Sequence, residues 1–208
     1  METIASKYLS DVEASLDNKL ANLGDSVLAD AMRYTTRLGG KRIRPLLALS
    51  AANIFGEHHN AIDSAVAIEL IHTMSLIHDD LPAMDNDDYR RGKLTNHKVF
   101  GEAQAVLAGD SLTVYTFELI ANSHLLTDKA KIESIRVLAN YSGIDGMMGG
   151  QSLDVLNENK LSEPEDFELL KEIHYKKTTK LFQASLLLGA IANGATPLQK
   201  KSLAEFGA

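Results

Sequence analysis

The sequence contains no cysteine among its 208 residues. This absence excludes disulfides, thiolate metal sites and cysteine nucleophiles. The first residues, "METIASKYLSDVE", lack the basic segment followed by an apolar segment that marks a signal peptide. The longest apolar stretch, "LFQASLLLGAIANGA", is interrupted by Gln183 and Ser185 and is too short to span a bilayer. We therefore expect a cytoplasmic protein without a membrane span.

Basic residues are also fewer than acidic residues. Lysine and arginine number 21 against 28 aspartates and glutamates, so the net charge is −7. This balance argues against nucleic-acid binding. The hydrophobic fraction of 45% is ordinary for a globular chain of this length, and no repeat or low-complexity linker divides it. The sequence predicts a single domain over residues 1–208.

No stretch alternates apolar and polar residues convincingly, as a half-buried strand would. Nearly everywhere in the chain, apolar residues recur with the period of an α-helix. Apolar residues recur every fourth position from Ile4 to Leu20, for example. The predicted helices cover residues 4–20, 27–38, 45–56, 60–80, 102–122, 128–156, 163–193 and 198 onward. The sequence therefore predicts an all-α fold.

Only four prolines punctuate these helices. Pro45 and Pro197 suit the first turn of a helix. Pro164 lies in "SEPE", where Ser162 and Glu165 predict a capping box. The fourth proline lies in the most unusual part of the chain.

That part is an aspartate-rich stretch, "LIHDDLPAMDNDDYRRGK", with five aspartates within ten residues. In a straight helix Asp79 and Asp85 would lie about 120° apart. Pro82 must end or kink the helix, which lets Asp85 turn back toward Asp79. Carboxylates about 4 Å apart at a partly buried site repel by about 4 kcal/mol, so a cation is expected. Hard oxygen ligands favour Mg²⁺ with phosphate and water. A solvated acidic turn is the alternative.

Three basic clusters stand out against the acidic background: "GGKRIRP", "YRRGK" and "YKKTTK". Any one of them alone is more often a solvated face than a site. Arginine binds phosphate oxygens bidentately, and lysine adds point charge. Together with the aspartates, the clusters predict a substrate with grouped phosphates. The apolar helices around them predict that the rest of the substrate is apolar.

The motifs and their order resemble those of the trans-isoprenyl diphosphate synthases, the farnesyl and geranylgeranyl diphosphate synthase family. The matching stretches span nearly the whole chain and are "GGKRIRP", "ELIHTMSLIHDDLPAMDNDDYRRGK", "TNHKVFGE", "LAGD", "GMMGGQSLD" and the "KT" of Lys177–Thr178. The long aspartate-arginine motif is very specific. The resemblance implies an antiparallel helical bundle around a deep central cavity, usually in a homodimer.

The resemblance also implies two sets of catalytic and binding residues for an allylic prenyl diphosphate. Asp79, Asp80 and Asp85 would hold Mg²⁺ against its diphosphate. Cations and a hydroxyl would contact that diphosphate directly; these are Arg90, Lys177 and Thr178. Polar residues lining the cavity would be Gln151 and Asp154.

Isopentenyl diphosphate, the second substrate that the resemblance implies, would be bound by a basic set. Its members would be Lys41, Arg44, His72 and Arg91. His72 alone also fits a buried core histidine. In the implied reaction, the allylic C–O bond ionises, the alkene of isopentenyl diphosphate attacks the cation, and the released diphosphate takes up the proton that is lost. The pocket must exclude water, which would quench the cation.

Product length in this family depends on the residues four and five positions before the first aspartate, here Ser75 and Met74. By helix geometry Ser75 lies about 40° from Asp79 and Met74 about 140° away. Met74 can therefore line the pocket only if the pocket runs deep beside the helix. Methionine is slimmer and more flexible than an aromatic ring. We expect farnesyl diphosphate as the product, with geranylgeranyl diphosphate as the alternative.

The chain departs from the family in one respect. A second aspartate-rich motif, which would bind further Mg²⁺, is absent before the final "LAEFGA". We therefore expect a domain truncated at its C-terminus, with little activity of its own. A non-catalytic, synthase-like subunit is a further alternative. DNA that continues in frame with an "FQxxDD"-like stretch would identify a fragment of an ordinary enzyme.

Another metal-dependent all-α class, the HD-type phosphohydrolases, offers a competing interpretation. Its ligands would be His58, His59, His78, Asp79 and Asp154. That interpretation gives no role to the paired arginines or to the interruption at Pro82.

Overall fold

The computed structural model describes residues 3–158 and 167–208, and they are almost entirely helical. The helices are α1 (Ile4–Ala21), α2 (Val27–Arg37), α3 (Ile43–Phe55), a 3₁₀ turn (His58–Ala61), α4 (Ile62–Asp79), α5 (Asn96–Phe100), α6 (Glu102–Ala121), α7 (Asp128–Ser142), α8 (Met147–Asn157), α9 (Phe167–His174), a π-helix (Tyr175–Thr179), α10 (Lys180–Ala192) and α11 (Pro197–Phe206). The all-α prediction is confirmed. None of the described helices is both long and apolar enough to cross a membrane.

The core of the bundle is built around α4 and α10, which are apolar on nearly all faces. Helix α4 packs against α3, α6 and α10, and α10 packs against α3 and α7. A helix that is hydrophobic all round must be buried on all sides. Only the last turns of α4 leave polar side chains half-exposed, at His72, Ser75, His78 and Asp79. The C-terminal end of the buried helix α4 therefore places its polar side chains where a functional site can form.

Small residues set the distance between α3 and α10. A Cβ atom added to Gly189 of α10 would lie 1.9 Å from the carbonyl oxygen of Ala48 in α3. We expect Gly189→Ala to destabilise the protein by about 2 kcal/mol, because backbone cannot move aside as a side chain can. An unhindered glycine-to-alanine change inside a helix would instead stabilise by about 1 kcal/mol. Urea unfolding gives the sign, and a gain in stability would contradict this packing.

The prolines act as the sequence predicts where the structure describes them. Pro197 is the first residue of α11, and Thr196 and Gln199 form a capping box there. Pro45 lies in the first turn of α3. The capping box predicted at Ser162 and Glu165 lies outside the described residues.

The helix predicted over 128–156 is wrong, because the structure has two helices there. Helix α7 ends at Ser142, and α8 begins at Met147. A Cβ atom on Gly146 would lie 2.0 Å from the carbonyl oxygen of Tyr141, so this tight connection requires glycine. The helix predicted over 163–193 is confirmed over its described residues, because α9, the π-helix and α10 follow one another without a break; the sequence did not predict the π-helical turn.

A short hairpin and a short helix follow the aspartate stretch, and the sequence predicted neither. Strands β1 (Tyr89–Arg90) and β2 (Lys93–Leu94) pair antiparallel. Arg91 and Gly92, between them, both have positive φ, of 53° and 74°. A two-residue hairpin turn of this kind needs positive φ at both positions. Strands of two residues show no alternation, so no pattern could have revealed them.

Candidate active site

A cavity of about 610 Å³ lies between α4, α8 and the π-helix. Its wall is largely apolar, with Met84, Met147, Val155 and Leu181 among the lining residues. Of the residues predicted for the site, those that line it are Arg44, His72, Met74, Ser75, Asp79, Gln151, Lys177 and Thr178. Polar groups are thus gathered around Asp79, and the remaining wall can hold an apolar chain.

The chain turns back so that Asp85 lies beside Asp79, as the sequence predicts. Helix α4 ends at Asp79, three residues before Pro82. The chain then folds back, and the backbone N–H of Asp85 donates to the carbonyl oxygen of Asp79 at 2.9 Å. Burial raises the pKa of Asp79 to about 6; Lys177 opposes this shift, while the Asp85 carboxylate adds to it. An ionised Asp79 therefore favours a nearby cation.

Asp80 is in a different environment from these two aspartates. It is 1% exposed. Both of its carboxylate oxygens accept from Nε of Arg90, at 2.8 and 2.9 Å, and Nη2 of Arg90 lies 2.6 Å from Oδ1. Burial raises the pKa of Asp80, and the bond to Arg90 opposes that shift. Asp80 thus fixes Arg90 on the hairpin, and its role as a Mg²⁺ ligand stays a prediction.

The donor set at the end of α4 fits Mg²⁺ held jointly with a diphosphate. Within residues 3–158 and 167–208, no three histidine, aspartate or glutamate side chains are grouped closely enough to hold a metal by themselves. Asp79 and Asp85 provide two carboxylates. Protein sites for Mg²⁺ commonly use one or two carboxylates, with substrate phosphates and water completing the octahedron.

The histidines of the phosphohydrolase interpretation are not assembled around a metal site. His58 pairs with Asp11 at 3.1 Å and stacks on Tyr8. His78 lies against α6, with its Nε2 atom 3.2 Å from the carbonyl oxygen of Val106. These contacts fix the two rings in separate packing roles, which removes the reason for that interpretation.

The π-helix forms the wall opposite Asp79. Single-turn π-helices are frequent at functional sites, since they redirect side chains within a helix. Lys177 lies in this turn, and its Nζ is 2.6 Å from Oδ2 of Asp154. A Cβ atom on Gly150 of α8 would be 2.3 Å from the backbone nitrogen of Lys177, so glycine permits this close approach. Next to it, the amide N and O of Gln151 are both buried without hydrogen-bond partners.

A second cavity, of about 460 Å³, lies beside the first and is strongly basic. All four residues predicted to bind isopentenyl diphosphate line it, namely Lys41, Arg44, His72 and Arg91. Arg44 and His72 line both cavities. Burial, followed by the charges of Arg44 and Arg91, lowers the pKa of His72 to about 3, so its imidazole is neutral. His72 therefore separates two cavities rather than lying within the apolar core.

The loop before α3 and the first turn of α3 supply three cations that line the basic cavity, and one of them, Arg42, is held in a buried ion pair. Arg42 has φ of 48° and is 3% exposed, and its guanidinium donates to Glu13 and Glu69. Its neighbours Lys41 and Arg44 line the basic cavity. Gly40 leaves room for Arg91, because a Cβ atom there would lie 2.6 Å from Nη1 of Arg91.

Sequence reasoning missed several residues that line the two cavities. Met147 and Met148 line the larger cavity, and they precede Gln151 and Ser152 by four residues on α8. Residues four apart share a helix face, so this spacing could have revealed them. Glu69 lines the basic cavity. It lies three residues before His72 on α4, a spacing that carries the same signal.

The sequence model of the family described as polyprenyl synthetase matches residues 25–208. The chain belongs to the polyprenyl synthetase family. Its relatives include the farnesyl diphosphate synthase of Geobacillus stearothermophilus, 45% identical over the whole chain, and the chloroplastic geranylgeranyl pyrophosphate synthase of Capsicum annuum, 45% identical over 94% of it.

Among solved structures, an apo FPP/GFPP synthase from Zymomonas mobilis is 37% identical, with a TM-score of 0.90. The match covers 98% of this chain and 74% of that one. The chain spans 67% of the Geobacillus protein and 53% of the Capsicum protein. The helical fold around the two cavities is therefore that of a prenyl synthase.

Proposed function

We propose that the chain carries the substrate-binding part of a short-chain prenyl transferase, which condenses isopentenyl diphosphate with an allylic diphosphate. The observation that carries the proposal is the pair of adjoining cavities that share Arg44 and His72. One is apolar, with acidic and basic groups at Asp79, and the other is basic. Two diphosphates, one of them on an apolar chain, match these two surfaces.

In this proposal the larger cavity receives the allylic substrate. Its prenyl chain lies along Met84, Met147 and Leu181, and these apolar side chains exclude water from the cation that forms. Lys177 faces Asp79 and contributes positive charge to the leaving diphosphate, and Arg90 is oriented by Asp80 for the same purpose. Fixed charges in a partly buried site stabilise the charge that develops as the C–O bond breaks.

Asp79 and Asp85 would hold Mg²⁺ here, with Asp80 as a further proposed ligand. Relatives of this family support Mg²⁺ as the cofactor. When bound, the ion would neutralise negative charge on the diphosphate. In the basic cavity, Lys41, Arg44 and Arg91 would bind isopentenyl diphosphate beside the neutral ring of His72. The alkene of isopentenyl diphosphate would then face the allylic carbon at the place where the two cavities meet.

Farnesyl diphosphate is the product we propose, with geranylgeranyl diphosphate as the alternative. Support for the first comes from the Geobacillus relative, which covers the full chain; the Capsicum relative supports the second at the same identity of 45%. Met74 and Ser75 both line the larger cavity, as a length-limiting role requires. The single domain over 1–208, truncated relative to the family, also stays a proposal, and so does the cytoplasmic location.

A homodimer is part of the same proposal. Helix α6 exposes Val106, Leu107 and Val114, with Val114 67% exposed. Leu107 and Val114 are seven residues apart and therefore share one face of the helix. Such an apolar face is suited to a second copy of the chain.

The experiment that tests the proposal is a condensation assay with radiolabelled isopentenyl diphosphate, Mg²⁺ and dimethylallyl, geranyl or farnesyl diphosphate. We expect little turnover by the 208-residue chain and ready turnover by a version extended with the remaining helices of the family. Full turnover by the shorter chain would show that the second aspartate motif is dispensable. Absence of prenyl products from the extended version would contradict the proposed function.

A further inference from the structure

Glu69 is an acidic residue within the basic cavity. It lies on α4, one turn before His72, and it is 2% exposed. Arg42, Arg44 and Arg91 all act on its charge, while burial is the strongest influence and raises the pKa of its carboxyl. A negative charge among the side chains of an anion site weakens the binding of a diphosphate, since like charges repel.

The contact with Arg42 indicates that Glu69 is ionised. Its Oε1 accepts from Nη1 of Arg42 at 2.7 Å, the short distance of a charge-assisted hydrogen bond. The remaining donors of Arg42 are used elsewhere: Nε donates to Glu13 at 2.8 Å, and Nη2 donates to the carbonyl oxygen of Thr36 at 2.8 Å. Arg42 therefore keeps two acceptors without Glu69, so the fold does not depend on the Glu69 charge alone.

The proposed reaction explains why a negative charge at Glu69 would be useful. C1 of the allylic substrate bonds to C4 of isopentenyl diphosphate, the allylic C–O bond breaks with its electron pair on the released diphosphate, and that diphosphate takes up the proton that leaves C2. The product thus keeps the diphosphate that entered with isopentenyl diphosphate. For a second condensation the product must become the allylic substrate. Its diphosphate must then move from the basic cavity to Asp79.

We propose that the carboxylate of Glu69 limits the affinity of the basic cavity for diphosphate, so that the product can leave this cavity between condensations. The inference rests on the proposed function, and it assigns to Glu69 control over how far elongation proceeds. Glu69 acts on the substrate through its charge, while Lys41, Arg44 and Arg91 supply the attraction.

Glu69→Gln tests this inference, because glutamine keeps an acceptor for Arg42 and removes the charge. Calorimetry with isopentenyl diphosphate, without Mg²⁺ or an allylic partner, should show binding roughly tenfold tighter than in the original chain. Glu13→Gln is the matched control, since Glu13 bonds the same arginine but does not line the cavity. Its affinity should stay within twofold. Lys41→Gln should bind at least tenfold more weakly, which locates the ligand in this cavity.

A kinetic measurement on the extended protein is the second test. With dimethylallyl diphosphate, a chemically quenched reaction of Glu69→Gln should contain more enzyme-bound ten-carbon product, because the departure of this product from the basic cavity is slowed. If the original chain binds isopentenyl diphosphate but Glu69→Gln binds it no more tightly, the role of Glu69 is overturned and the proposed function stays intact. No binding by the original chain overturns both. If Glu69→Gln does not fold, Glu69→Met removes the same charge and is measured in its place.

Discussion

Asp79→Asn in the extended protein should lower the rate of condensation by about 10²–10³-fold, the effect typical of losing one preorganised electrostatic group. Asp79 ends the buried helix α4 and lines the larger cavity. Asparagine has nearly the same shape but cannot supply a carboxylate to Mg²⁺. Asp88→Asn is the matched control from the same acidic stretch, since Asp88 pairs with Lys98 at 2.7 Å. It should keep its rate within about threefold.

The stability of Asp79→Asn separates loss of chemistry from loss of fold. The pKa of Asp79 in the folded chain is about 6, against an ordinary 3.8. The folded state therefore binds more protons than the unfolded state between these values, and Asp79 destabilises the fold increasingly as pH rises through this window. Above pH 6 the asparagine variant should melt higher than the original chain. Lower melting, or retention of more than a tenth of the rate, would contradict the assigned role.

Met74→Ala in the extended protein should lengthen the products toward twenty carbons or more, and Met74→Tyr should shorten them toward ten to fifteen. The side chain is 2% exposed and lines the larger cavity together with Ser75. A growing prenyl chain extends away from the diphosphates until a side chain stops it. Methionine bends aside more easily than a ring, and alanine leaves the space open. The rate of the first condensation should change little, because the charged groups are untouched.

Met32→Ala is the matched control for Met74→Ala. Met32 is 4% exposed in α2 and is not among the residues that line either cavity. Both alanine variants should lose about 2–5 kcal/mol of stability, since each leaves a cavity in the core. Only Met74→Ala should change the products. Chromatography of the dephosphorylated products, beside melting curves, decides this; an unchanged profile in both Met74 variants would make Met74 a core residue only.

Local rules predicted the parts of the site that depend on one segment of chain. Pro82 predicted where α4 ends and that Asp85 returns to Asp79, because proline restricts the backbone of its own turn. The apolar period predicted the buried α4 that presents these groups. The pairing of Asp80 with Arg90 was beyond such rules, since it depends on the two-residue hairpin that brings Arg90 back.

The convergence of the basic residues could not be predicted from spacing either. Lys41, Arg44, His72 and Arg91 come from α3 and the loop before it, from α4, and from the hairpin turn. They were grouped only through the family resemblance. The π-helix at Lys177 depends on close packing against α8, where Gly150 leaves no room for a Cβ atom. Tertiary packing of this kind leaves little signal in the local sequence.

The central claim is that Asp79 and Asp85 form, with the cations opposite, one site that takes Mg²⁺ and a diphosphate together. Calorimetry with Mg²⁺, in the presence and absence of a non-reactive allylic diphosphate analogue, tests it most directly. We expect no measurable Mg²⁺ binding by the protein alone and clear binding when the analogue is present, because two carboxylates leave most of the octahedron to phosphate and water. Tight Mg²⁺ binding without the analogue, or no binding with it, would contradict the claim.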